Sequence, residues 1–204
     1  AIEAYVSVMA SDYTDGLALH AIEMVFTYLE KSYNGDPLAR EKMHNASCIA
    51  GMAFTNAFLG LNHSMAHKLG AECHIPHDRA NAILLPYVIK YNATKPTKFA
   101  SSPKYKEYVA DERYAKIARR VGLCSADTPI SEAVDCLVKA IRELMTVTER
   151  PLCIKDCGVS EAEFMSKVDE LSYKAFEDQC TTANPVYPLV SEIKELYREA
   201  YYGE

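Results

Sequence analysis

The sequence predicts an all-α fold. Apolar residues recur at spacings of three and four over most of the chain, and capping residues stand where several of those runs begin. No stretch alternates β-branched with polar residues over the length of a strand, and no repeat at solenoid period occurs.

The elements follow in order. Ala1-Ile2-Glu3-Ala4-Tyr5-Val6-Ser7-Val8-Met9 is an amphipathic helical pattern with no N-cap before it, as though cut from a longer helix. Ala18, Ile22, Val25, Phe26 and Leu29 form one apolar stripe, predicting a helix over 14–31. Asp36 followed by Pro37 is an N-cap with proline at the first helical position. The helix it starts runs uninterrupted to Gly60, a length on the order of 35 Å. Its middle, 46–59, is apolar nearly all round (Ile49, Met52, Phe54, Phe58), which predicts a place at the centre of the core.

A short helix over 61–69, a break over 70–76 and a helix over 77–91 come next. Residues 92–106 turn polar (Thr94, Pro96, Thr97, Ser101, Ser102, Pro103) and carry four lysines without an acid, the pattern of a solvated loop. Further helices are expected over 107–121, 128–147, 160–173 and 189–201, the third opening with a Ser160-x-x-Glu163 capping box.

A chain of 204 residues suits a single helical unit over 1–204, since one core commonly takes roughly 100–200 residues. With 28 acidic and 22 basic side chains the net charge is -6, which argues against nucleic acid or an anionic membrane as partner. No apolar run approaches the roughly 20 residues of a membrane span. The eight glycines never fall in a Gly-x-Gly-x-x-Gly or P-loop spacing, so any nucleotide phosphate must be cradled elsewhere. Seven scattered cysteines with no signal peptide read as free thiols of a cytoplasmic protein. On that reading the glycosylation sequons at Asn45, Asn62 and Asn92 are chance matches.

Four of the six histidines lie within fifteen residues. His63 and His67, four apart, stack on one helix face about 6 Å apart along the axis. Gly70 and Pro76 reverse the chain, so His77 at the next helix start can point back at the same space. Imidazoles converging from two helices suit Zn²⁺ or Fe²⁺. The plain alternative is a polar helix-turn-helix corner, and the third and fourth histidines, His74 and His77, favour a site. A zincin is disfavoured because Ser64 stands where His-Glu-x-x-His needs its glutamate. A zinc knuckle at Cys73-His74-x-x-His77 lacks a second Cys-x-x-Cys half, and Cys153 and Cys157 are too isolated to supply it.

The stretch Gly60-Leu61-Asn62-His63-Ser64-Met65-Ala66-His67-Lys68-Leu69-Gly70, with Ile75-Pro76-His77 and Ala80-Asn81-Ala82-Ile83-Leu84-Leu85-Pro86, resembles the histidine-rich segment of the iron-containing (group III) alcohol dehydrogenases. Residues 1–7 are similar to the segment that follows the Asp-x-x-x-His metal motif of that family. Glu177-Asp178-Gln179-Cys180-Thr181-Thr182-Ala183-Asn184-Pro185 and Ser191-Glu192-Ile193-Lys194-Glu195 resemble the C-terminal end of the alcohol dehydrogenase half of bifunctional aldehyde-alcohol dehydrogenases. The likeness runs from the first residue to the last.

The resemblance implies a helical C-terminal domain of dehydroquinate synthase-like fold, facing a nucleotide-binding α/β domain across a cleft that holds one divalent metal, usually iron and sometimes zinc. One aspartate and three histidines bind that metal in the family, and the last two ligands map onto His63 and His77. His67 matches the family's non-ligand histidine, which faces nicotinamide and substrate and positions them or relays a proton. Phe54 and Cys180 match positions lining the substrate pocket. The implied chemistry is reduction of acetaldehyde or another short aldehyde by NADH, the metal polarising the oxygen while hydride transfers.

Departures from the pattern are also informative. The family's aspartate and first histidine ligand should stand just before Ala1, so this chain carries two of four ligands and is expected to be silent alone, with weak metal affinity. Thr14-Asp15-Gly16-Leu17-Ala18-Leu19-His20 imitates the missing motif, but Asp15 and His20 are five apart rather than four, and about 100° per residue swings His20 off the aspartate's face. Asp78 and Val186 replace a glycine and an arginine common in the family. The partners expected of the parent protein are a small alcohol or aldehyde and copies of itself, as a homo-oligomer or filament. Two other readings stay open: a helical self-association module without chemistry, and a stand-alone zinc hydrolase on His63, His67 and His77, which would need a carboxylate within reach of them.

Overall fold

The computed structural model describes residues 1–98, 100, 105 and 107–203, and every regular element among them is helical. In order these are α1 (Ile2–Val6), α2 (Asp12–Tyr33), α3 (Pro37–Ala57), α4 (Leu61–Cys73), α5 (His77–Asn92), α6 (Ala110–Arg120), α7 (Ile130–Val147), α8 (Glu161–Phe176) and α9 (Val190–Tyr202). Two 3₁₀ turns, Lys155–Cys157 and Gln179–Ala183, were not legible as separate elements. The caps act as their residue types dictate. The Ser11 hydroxyl accepts from Thr14 N–H while the Thr14 hydroxyl accepts from Ser11 N–H at 2.8 Å, and Asp36 accepts from Ala39 N–H at 2.7 Å. Ser160 caps α8 at Glu163 N–H, but the Glu163 carboxylate pairs with Lys167.

The architecture is a set of helical hairpins around a central pair. The hairpin of α4 and α5 lies in the middle, with α8 against α4, α9 and α7 against α5, and α6 against α7. Leu61, Met65, Leu69, Ile83, Leu84 and Ile89, all fully buried, make the inner seam. The hairpin of α2 and α3 joins this body through α1, α6 and α7.

Helix α3 is not the core helix that its composition suggests. Only Ala39, Ala46, Ala53 and Ala57 on it are buried, whereas Met52 and Phe58 are 53% and 55% exposed. Alanines seven apart form a narrow stripe that lets α3 approach α2 closely, and that geometry turns the bulky apolar side chains outward. The expected break at Gly70 is also displaced. Helix α4 runs through Gly70 to Cys73 and stops at His74, whose φ of 54° is left-handed. The polar stretch ends α5 at Asn92, and Lys98 within it is not free in solvent, since it pairs with Glu192 of α9. Ser101, Ser102, Pro103, Lys104 and Lys106 lie outside the described residues.

All seven cysteines are free thiols. Asn62 and Asn92 are 2% and 0% exposed, so two of the three sequons are closed to modification in the folded chain. Among the described residues no helix is long and apolar enough to cross a membrane.

Phe58, which leaves α3, has φ 62° and ψ 177°, a region that L side chains occupy only under strain of about 1–3 kcal/mol. Phe58→Gly is therefore expected to raise the melting temperature by roughly 2–6 °C in calorimetry. An unchanged or lowered transition would show that ring contacts outweigh the strain.

Candidate metal centre

The centre is built on the start of α4. Gly60 is its N-cap and has no side chain with which to receive the helix's first N–H groups. Glu3 of α1 does so from across the fold. Its Oε1 accepts from Gly60 N–H at 3.0 Å and Asn62 N–H at 2.9 Å, and Asn184 Oδ1 accepts from Leu61 N–H at 3.1 Å. Glycine is required here because a Cβ on Gly60 would stand 2.9 Å from Asn184 Oδ1 and 3.0 Å from Glu3 Oε1.

Glu3 is only 6% exposed, and its second oxygen, Oε2, meets His63 Nδ1. One turn on, His67 Nδ1 faces Asp178 Oδ2 at 3.2 Å. His77 enters from the first turn of α5, just after Pro76. The ring centroids of His63 and His77 are 5.3 Å apart, those of His67 and His77 5.6 Å, and those of His63 and His67 6.1 Å. Burial lowers the His77 pKa, and the two neighbouring imidazoles lower it further, which favours the neutral, metal-binding form.

The other histidines stand apart. His20 lies exposed on α2 while Asp15 pairs with Arg113, so the imitation of an Asp-x-x-x-His motif makes no site. His74 occupies the left-handed turn that ends α4.

Comparison with known proteins decides what the cluster belongs to. Residues 1–201 match the Fe-containing alcohol dehydrogenase family, C-terminal. The chain belongs to that family. It is 55% identical over 202 residues to aldehyde-alcohol dehydrogenase 2 of Entamoeba histolytica, covering 99% of this chain and 23% of that protein. It is 47% identical to the NADPH-dependent butanol dehydrogenase of Clostridium saccharobutylicum, covering all of this chain and 48% of that protein. The structure of the iron-containing alcohol dehydrogenase from Thermococcus thioreducens superposes with a TM-score of 0.83 at 39% identity, over 100% of this chain and 48% of that one. The chain thus spans from about a quarter to about half the length of these relatives.

In this iron-type dehydrogenase domain the donor set suits a divalent cation in part. His63 and His77 present imidazoles from two helices, the borderline-soft donors that iron and zinc accept. Donor atoms of His67, Asp178 and Cys180 also lie within 4.8 Å of one another. That trio is an anchor for His67 rather than a metal cage. Asp178 Oδ2 already accepts from Lys68 at 2.7 Å, and its Oδ1 from Cys180 N–H at 2.9 Å. Burial, and then the nearby Asp178 carboxylate, push the Cys180 thiol up to about 12, so it stays protonated.

Phe54 and Cys180 both line a cleft of about 450 Å³, together with Met9, Phe58 and Leu59. Glu3, Asp178, Lys68 and Asn184 went unrecognised as site residues in the sequence. The one available signal was Gly60 itself, an N-cap with no acceptor, which demands one from elsewhere. Carboxylates of the kind a stand-alone zinc hydrolase would require are present, but each is engaged with a ring Nδ1, Glu3 with His63 and Asp178 with His67.

Burial raises the Asp178 pKa, but bonds from Lys68, Cys180 N–H and His67 outweigh it and hold the group at about 2. A depressed carboxylate stabilises the fold at pH above its unfolded value of about 3.9 and loses that contribution as pH falls toward 2. Asp178→Asn should lower stability at pH 7 and flatten the acid limb of the stability–pH curve between about pH 4 and 2. Acid unfolding curves that coincide for the two proteins would refute the assignment.

Proposed function

We propose that this chain is the helical, metal-site domain of an oxidoreductase that interconverts short aldehydes and alcohols with a nicotinamide cofactor, acetaldehyde reduction with NADH being the reaction that fits best. The observation that carries this reading is the convergence of His63 and His77 beside His67 in a chain of the iron-containing alcohol dehydrogenase family. Iron, with zinc as the alternative, would be held by His63 and His77 and would supply polarisation of the substrate oxygen. Two imidazoles leave at least half a shell to be completed from outside this chain.

The remaining roles fall to the chain's own side chains. His67, stacked on His77 with its Nδ1 turned to Asp178, is the side chain that would orient the nicotinamide and hold a proton bound for the substrate oxygen. Phe54 and the neutral Cys180 thiol give the cleft an apolar wall suited to a short alkyl chain. The glycine-poor sequence has no loop for a dinucleotide phosphate, so the nicotinamide would be bound by a separate domain, and the 204-residue chain alone would not turn over. Family membership favours this reading over a helical self-association module without chemistry.

In the full-length protein, His63→Ala and His77→Ala should each release the metal and abolish alcohol-dependent reduction of NAD. His67→Ala should keep the metal while kcat falls by roughly 100-fold or more. Metal content by elemental analysis beside steady-state kinetics checks both. Full metal loading in both ligand variants, or turnover by residues 1–204 alone, would sink the reading.

A further inference from the structure

Glu3 engages two partners with one buried carboxylate. Oε1 sits on the opening N–H groups of α4, and Oε2 on His63 Nδ1. A carboxylate only accepts, so the ring nitrogen that faces it must carry the hydrogen. The neutral ring then has its lone pair on Nε2, the nitrogen turned away from Glu3. The carboxylate cannot swing aside easily, because it is 6% exposed and lies so close to the backbone that Gly60 has no room for a Cβ.

We infer that Glu3 is a positioning residue for the metal centre: anchored by the start of α4, it fixes the tautomer and plane of the His63 ring so that Nε2 is the donor. This inference rests on the proposal that His63 is a ligand. A carboxylate behind a metal-bound imidazole fixes its orientation and raises its basicity, and losing such a partner typically weakens metal binding about 10- to 100-fold.

Glu3→Gln separates the two jobs. The glutamine oxygen can still receive the helix N–H groups, but its NH₂ would donate to His63 Nδ1 and drive the ring hydrogen to Nε2, removing the lone pair that a metal needs. In the full-length protein stripped of metal, Zn²⁺ affinity from competition with a chromophoric chelator is expected to fall about 10- to 100-fold. The melting temperature of the metal-free variant should drop by no more than about 4 °C. Imidazole ¹⁵N shifts of His63 should move from the Nδ1–H to the Nε2–H tautomer.

Unchanged Zn²⁺ affinity in Glu3→Gln overturns the inference while leaving the metal reading intact. Affinity lost only together with a collapse of the melting temperature marks Glu3 as a helix cap alone, and also overturns it. The ¹⁵N shifts of the metal-free wild-type protein decide the matter even if the variant fails to fold: Nδ1–H supports the inference, and Nε2–H ends it. Wild-type Zn²⁺ affinity in His63→Ala would overturn the metal reading and the inference together.

Discussion

The start of α4 is a buried helix end that cannot satisfy itself, and the arrangement of the surrounding elements follows from that need. Each buried N–H left without an acceptor costs about 1–3 kcal/mol. Gly60 offers none, so acceptors arrive from Glu3 near the beginning of the chain and from Asn184 near its end. Asn184 also exchanges amide bonds with Asn92 at the end of α5, at 3.0 and 2.7 Å, and the Asn92 amide reaches Tyr114 of α6 at 3.3 Å. One polar cluster thereby ties α1, α4, α5, α6 and the segment before α9, and its members are all nearly inaccessible. In a medium that excludes water, such a cluster tolerates few other arrangements, which gives the histidines above it a rigid floor.

A second tie fixes the middle of α4. The Gln179–Ala183 turn is pinned by Thr181, whose hydroxyl lies 2.8 Å from that of Ser64 and donates to Ala175 carbonyl at 2.7 Å. The same turn begins at Asp178, which binds Lys68 and faces His67. The face of α4 that carries Ser64 and Lys68 is thus held by the turn that also brings Cys180 to the cleft. The cleft wall at Cys180 and the position of His67 are set by one turn rather than by two independent ones.

The legible parts of the site are those whose geometry is local. Helical spacing alone puts His63 over His67, and Pro76 alone starts α5 at His77. Glu3 and Asp178 were not legible, because their partners lie 60 and 111 positions away and no periodic rule spans such distances. The misplacement of α3 has a different cause. Apolar residues all round a helix announce burial only if protein surrounds it, and the information lay instead in the small residues, Ala39, Ala46 and Ala53, which mark the one face that a neighbour can approach. Lys98 shows the same limit at the surface: its acid comes from α9, not from the loop in which it stands.

Packing three imidazoles with centroids 5.3 to 6.1 Å apart also sets how charge on the rings would interact. Two protonated rings at the shorter distance would repel by about 0.8 kcal/mol in a water-like medium and about 3 kcal/mol in one typical of a protein surface. The pair at that distance is His63 and His77, and His63 is 25% exposed, so solvent screening favours the lower figure. The lowered pKa of His77 follows from burial and from the same neighbours. Neutral rings keep their lone pairs, and in the proposed site those of His63 and His77 would be shared by one divalent ion. Carboxylates meet two of the rings at Nδ1, Glu3 at His63 and Asp178 at His67, and a carboxylate behind a ring fixes its orientation.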